Sequence, residues 1–226
     1  MRLQALASAA LLMFAAGCNQ MPGTPKPGIE VPRPDSVMDF ATLYGENCAG
    51  CHGRGGQGGA ALDLANPLYQ AWVDDAAVRK IIAGGEPGTL MPAFAQSAGG
   101  FLTDAQVDAL VRGMHTAWQK PETISGAVPS YQSTAQGEAS RGQAVYQTAC
   151  ARCHAEPKTK VTDPTYLALI NDQTLRTIIV AGRPDLGHPN WQGDIQGHAL
   201  TDQEVADIVA WLASLRIPTP GQPYPH

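Results

Sequence analysis

The pattern Cys-x-x-Cys-His occurs twice in this chain, as "CAGCH" (48–52) and "CARCH" (150–154). The flanks repeat as well, and that constrains the fold more than any other feature. "LYGENCAGCH" (43–52) is matched by "VYQTACARCH" (145–154), 102 positions later. "PLYQAWVDDAAVRKIIAGGEPGTLMP" (67–92) aligns without a gap with "PTYLALINDQTLRTIIVAGRPDLGHP" (164–189), 97 positions later. Pro67, Tyr69, Asp75, Arg79, Ile81, Ile82, Gly85, Pro87 and Pro92 all recur in that alignment. Further on, "LTDAQVDALV" (102–111) is matched by "LTDQEVADIV" (200–209). The chain is a tandem duplication, and the loop after the second motif is the shorter one.

Each copy reads as three helices. The first ends in the Cys-x-x-Cys-His motif. The second covers about 75–83 and 172–180, with Val78, Ile81 and Ile82, and then Leu175, Ile178 and Ile179, on one face. The third begins after Thr103 and Thr201 as N-caps. Its apolar stripes are Val107, Leu110, Val111 and Met114, and Val205, Ile208, Val209 and Leu212. No strand alternation is visible, so the expected class is all-α with long loops.

Two thiols three residues apart lie on one face of a helical turn. There both can form thioethers with the vinyl groups of a porphyrin, and the adjacent imidazole is aimed at the iron. The motif is the attachment signature of a c-type haem. Cys48, Cys51 and His52 are expected to hold one haem, and Cys150, Cys153 and His154 the other. A zinc ribbon would bring its two Cys pairs within about 15–20 residues, whereas Cys51 and Cys150 lie far apart. A thioredoxin-like pair would need a βαβ context. A disulfide framework would not require a His after each pair. Haem also answers a packing problem. Aromatics are only 6% of the chain, so two small domains have thin cores, and a large apolar macrocycle gives each helix set something to bury against.

The net charge of −5 and pI near 5.6 argue against nucleic-acid binding. The N-terminal "MRLQALASAALLMFAAGC" carries Arg2 and an apolar stretch too short for a comfortable membrane span but suited to a signal peptide. Its ending resembles a bacterial lipobox, which makes Cys18 the candidate lipidation site and the membrane the first partner. With Cys18 lipidated and four Cys in thioethers, none of the five Cys is left over. The expected organisation is a signal peptide at 1–17, a Pro-rich tether at 18–36, a first domain at 37–118, a linker at 119–137, a second domain at 138–217 and a tail at 218–226.

These motifs resemble class I cytochromes c, specifically tandem two-haem members of the c4-like kind, over nearly all of the chain beyond signal and linkers. The resemblance implies two domains of about three helices, each wrapped round a covalent haem. It implies single-electron transfer between respiratory or photosynthetic redox complexes, either as a diffusing carrier or as a subunit of a complex. A quinol-oxidising complex or dehydrogenase would stand upstream, and an oxidase, reductase or photosynthetic centre downstream. The family's second axial ligand is a Met from a later loop. Met91 in "GEPGTLMP" (85–92) occupies that place, with Met114 as the fallback. The second copy departs from the pattern, since every Met lies at position 114 or before. The alignment puts His188 in the Met91 place. His154 and His188 are therefore the expected pair at haem 2, with His198, Lys158, Lys160 or an open site as rivals. His115 and His226 are read as ordinary residues.

A Met ligand raises the potential relative to other axial sets, so haem 2 is expected to lie below haem 1. The resemblance also makes the carbonyls of Pro67 and Pro164 candidate acceptors for the proximal imidazoles. Trp211 fits the aromatic of the family's last helix, where the first copy has Gly113. The Gly-rich "GRGGQGGA" (53–60) reads as a loop round a haem edge rather than a phosphate loop. Arg141, Arg152, Lys158, Lys160 and Arg183 form a basic cluster in sequence, either solvated or a docking patch for an acidic partner. The competing functional reading is a dihaem enzyme, a peroxidase or small sulfur-compound dehydrogenase with a labile ligand at haem 2. A haem-based sensor would need an output domain that the sequence does not show.

Overall fold

The computed structural model describes residues 28, 31–120, 124, 126–155, 161–193 and 198–218. Cys18, Lys158, Lys160 and His226 lie outside these residues, as do the signal peptide and most of the expected tail. From Val37 onward the chain forms one compact unit.

The described secondary structure is helical, with isolated bridges in place of strands. In the first copy the helices are α1 (Phe40–Asn47), α2 (Ala49–His52), α3 (Pro67–Trp72), α4 (Asp75–Gly84) and α5 (Asp104–Trp118). In the second they are α6 (Ala139–Ala149), α7 (Ala151–His154), α8 (Pro164–Leu167), α9 (Asp172–Ala181) and α10 (Asp202–Ser214). The three expected helices per copy are present, with two differences. The helix that carries the motif breaks at its first Cys, Cys48 or Cys150, each of which caps both segments. A short helix also precedes the second expected one, and its single turn is too brief to leave a periodic pattern.

The boundaries repeat through their caps. Asn66 accepts from the N–H groups of Leu68 and Tyr69, as Asp163 does from Thr165 and Tyr166. Asp74 caps α4 and Asn171 caps α9. Thr103 and Thr201 each close a capping box, with Gln106 and Glu204 as the third residues. At each Asx position one copy uses the acid and the other the amide, because only the side-chain carbonyl oxygen is needed.

The core of each copy is the packing of its first helix on its last, α1 on α5 and α6 on α10. Val107, Leu110 and Met114 line the first core, and Val205, Ile208 and Leu212 the second; all are buried. The two crossings use aromatics in reverse. A Cβ on Gly113 would lie 2.1 Å from the ring of Phe40, so the last helix yields to an aromatic on the first. In the second copy the position equivalent to Phe40 is Gly142 and the position equivalent to Gly113 is Trp211. There a Cβ on Gly142 would lie 1.9 Å from the Asp207 carbonyl and 2.9 Å from the Trp211 Cβ. Trp211 packs on Tyr146 with ring centroids 4.4 Å apart, while Phe40 packs on Tyr44 at 5.7 Å. Gly113 is thus half of a reciprocal exchange, and both crossings keep one aromatic and one glycine.

Asp207 ties the entry of the second copy to α10. Its buried carboxylate takes Arg141 at 2.8 Å and the Glu138 N–H at 2.7 Å. The Arg141 hydrogen bonds are the main cause holding its pKa below the usual carboxylate value. A depressed carboxylate pKa contributes stability above the unfolded-state pKa, which is lost as pH falls through the folded-state pKa. Asp207→Asn is expected to cost about 1–3 kcal/mol at neutral pH, because Arg141 is half exposed and its charge is screened. It should also flatten the loss of stability below about pH 4, measured by denaturant titration across pH.

Candidate functional site

Each Cys-x-x-Cys-His sits on the turn that follows the first helix of its copy. Cys48 and Cys150 are half-buried and packed against the core, while Cys51 and Cys153 are exposed. Burial, with the neighbouring Cys adding to it, pushes the Cys48 and Cys150 thiols up to about 11.

His52 is half-buried, and its Nδ1 lies 2.9 Å from the Leu62 carbonyl oxygen. That corrects the expectation for Pro67: the acceptor comes from the loop, five residues earlier in sequence. The loop is brought there by tight glycine geometry. A Cβ on Gly59 would lie 2.1 Å from the Cys51 carbonyl oxygen and 2.7 Å from the His52 carbonyl carbon. "GRGGQGGA" therefore lies directly on the backbone of the first motif. In the second copy the Pro164 carbonyl accepts from the Ala168 N–H and the Ile217 N–H. The His154 Nδ1 is buried and finds no partner among the described residues, so Pro164 is not its acceptor. Burial lowers the pKa of both His52 and His154, favouring the neutral imidazole that binds metal.

The loops after α4 and α9 share several contacts, although the Met91 N–H donates to the Thr89 hydroxyl and the His188 N–H to the Arg183 carbonyl. Gly85 and Gly182 leave the helices with φ 72° and 74°, the region that favours glycine. A Cβ on Gly85 would press on Met91 and Pro92 backbone, and one on Gly182 on His188 and Pro189 backbone. The Glu86 N–H donates to the Met91 carbonyl at 3.1 Å, and the Arg183 N–H donates to the His188 carbonyl at 3.1 Å. Met91 and His188 thus occupy the same station in the same turn. Met91 packs half-buried against the core, whereas Met114 is buried within it, which suits Met114 to packing.

His188 faces His154, with ring centroids 5.9 Å apart and planes 37° apart. The His188 Nδ1 is buried and, like that of His154, has no partner among the described residues. Both rings are half-buried, and a buried ring nitrogen without a partner is costly. Imidazoles ligating one metal from opposite sides, at bond lengths of about 2 Å, have centroids about 6 Å apart. Among the described residues no third His, Cys, Asp or Glu joins them as a metal cluster. His198 is exposed and bonded to Glu204 at 2.8 Å, and His115 pairs with Asp75 at 2.8 Å. Of the basic cluster, Arg141 is paired with Asp207 and Arg183 is buried on Asp185, while Lys158 and Lys160 lie outside the described residues. Arg183 therefore offers no docking surface.

Residues 35–112 match the family model "Cytochrome C oxidase, cbb3-type, subunit III", and residues 139–216 match the model "Cytochrome c". The chain carries two tandem cytochrome c domains. These domains imply two covalently bound haem c groups, and the Cys48/Cys51 and Cys150/Cys153 pairs fit the attachment motif. The chain is also 29% identical over 143 residues to "Cbb3-type cytochrome c oxidase subunit CcoP" of Azospirillum sp. (strain B510), covering 56% of this chain and 44% of that subunit. The chain thus spans less than half the length of that relative. No solved structure matches the chain. Among the described residues no helix is long and apolar enough to cross a membrane.

Proposed function

We propose that these cytochrome c domains pass single electrons to or within a respiratory terminal oxidase complex, from a quinol-oxidising complex or dehydrogenase upstream. Cys48 and Cys51 would hold haem 1, with His52 and Met91 as the side chains offered to its iron. Cys150 and Cys153 would hold haem 2, with His154 and His188 offered in the same way. When bound, each haem supplies an iron that alternates between ferric and ferrous. The protein's part would be to supply the iron's side-chain ligands, fix the imidazoles and set the two potentials apart. His52 is oriented through Nδ1 by the Leu62 carbonyl. Met91 is placed by a turn whose N–H at Met91 lies 3.1 Å from the Thr89 hydroxyl oxygen. The observation that carries the reading is the half-buried His154–His188 pair, with ring centroids 5.9 Å apart, which supports two side-chain ligands at haem 2. The match of residues 35–112 to the oxidase-subunit model supports an oxidase as the partner. A lipid anchor at Cys18 would keep the domains at the membrane surface.

The test is ligand access. The reduced holoprotein is expected to bind carbon monoxide at neither haem on mixing, and Cys18→Ser is expected to move the protein from the membrane to the soluble fraction. Rapid carbon monoxide binding at haem 2, with peroxide turnover, would replace the carrier by an enzyme. Unchanged membrane retention of Cys18→Ser would remove the anchor.

A further inference from the structure

Position 86 and its repeat equivalent, position 183, have the same backbone role. Each follows the glycine that ends its helix, and each donates its N–H to the carbonyl of the proposed sixth ligand. In both copies the side chain reaches the other domain, and the two charges are opposite. The Glu86 carboxylate accepts from the Asn171 side-chain amide, which also donates to the Pro87 carbonyl at 2.9 Å. Arg183 goes further. Its backbone pairs with His188 in both directions, at 3.1 and 2.9 Å. Its guanidinium donates to the Gly59 carbonyl at 3.0 Å, and Gly59 is the residue seated on the backbone of Cys51 and His52. Asp185 completes the clamp, taking Arg183 at 2.8 and 2.9 Å and the Gly58 N–H at 2.9 Å. Asn66 adds a bond across the same boundary, to the Ala181 carbonyl at 2.8 Å.

The Arg183 and Asp185 side chains are only 8% and 4% exposed. Their charges therefore act through protein rather than through screening water. The Nε and Nη2 groups of Arg183 and both oxygens of Asp185 are bonded, which helps a buried pair persist. Its neighbour Asp63 is also buried, with Oδ1 lacking a partner, so the boundary holds two carboxylates and one guanidinium. Removing the cation would leave the buried Asp185 carboxylate without its counter-charge.

We propose that Arg183, fixed by Asp185, is a positioning residue shared by the two haem sites, joining the sixth-ligand loop of haem 2 to the motif backbone of haem 1 and setting both potentials. The proposal rests on the ligand assignments given above. A nearby cation favours the less positive ferrous iron, and a nearby anion favours the ferric iron. Arg183 acts at both sites because it bonds the His188 backbone and the Gly59 carbonyl, and Gly59 lies against Cys51 and His52.

The test is a spectroelectrochemical titration of the holoprotein with EPR of the oxidised form, for wild type, Arg183→Gln, Arg183→Lys and Asp185→Asn. Arg183→Gln is expected to lower both potentials, and Asp185→Asn to raise both. Arg183→Lys keeps the charge without the fork and should recover most of the Gln shift. Movement of haem 2 alone would overturn the shared role, and movement of Gln and Asn variants in the same direction would reduce it to loosened packing. If Arg183→Gln does not fold, the Lys and Asn variants still decide, since the proposal requires Asp185→Asn to raise both potentials while Arg183→Lys leaves them near wild type. A wild-type EPR spectrum lacking a bis-His signal would instead refute the ligand assignment, which is a separate failure.

Discussion

His188→Met is expected to raise the potential of haem 2 by on the order of 0.1 V, a modest part of the ~0.8 V range that axial ligands span. The thioether favours ferrous iron more than imidazole does, and the turn is already built for it. Met91 and His188 share the same glycine exit, the same carbonyl contact from the residue after that glycine, and the same following Pro. The substitution therefore changes the donor atom without asking the loop to move. Potentiometric titration should find the two haems brought closer together, with a second Met-type charge-transfer band in the optical spectrum. An unchanged haem 2 potential would mean that His188 is not bound to the iron. The converse, Met91→His, should lower haem 1.

Gly142→Ala is expected to be the most damaging single-methyl addition in the second domain, costing about 3 kcal/mol or more, at the upper end for overpacking. The added Cβ would meet the Asp207 carbonyl oxygen at 1.9 Å, and a backbone atom in the middle of α10 cannot step aside. The same residue's carboxylate anchors Arg141 and the Glu138 N–H, so separating α6 from α10 would also loosen that ion pair. Gly45 makes the control. It lies in α1 with nothing within 4 Å of its would-be Cβ, so Gly45→Ala should stabilise through helix propensity, by up to about 1 kcal/mol. Thermal or denaturant unfolding of the two holoprotein variants separates the effects. Similar midpoints for both would show that the α6–α10 crossing is not as close as described.

Much of this was legible in the sequence because duplication supplies its own control. The second domain interprets the first, and the register of Gly85 with Gly182 alone aligns Met91 with His188. The capping threonines and the apolar stripes of the last helices were likewise readable, since caps and 3.6-residue periodicity are local properties. What the sequence concealed was contact between segments distant in the chain. The Leu62 carbonyl is reached by a glycine-rich loop whose path depends on backbone packing, and no residue-type signal marks a carbonyl acceptor. The exchange of Phe40 and Gly113 for Gly142 and Trp211 is visible once the offsets are applied to both helices together. Read one helix at a time, Gly113 looks only like a missing aromatic. Arg183 was misleading for the same reason: in sequence it extends a basic cluster, but in the fold it is buried against Asp185 and Gly59.

On the proposed assignment, two similar cytochrome c domains hold their irons with different sixth ligands, Met91 in one and His188 in the other. EPR of the fully oxidised holoprotein, followed through a reductive titration, tests it most directly. Two low-spin signals are predicted, one of the His/Met type and one of the bis-His type, with the His/Met signal lost first as the potential is lowered. Two His/Met signals, a high-spin haem, or earlier reduction of the bis-His haem would contradict it.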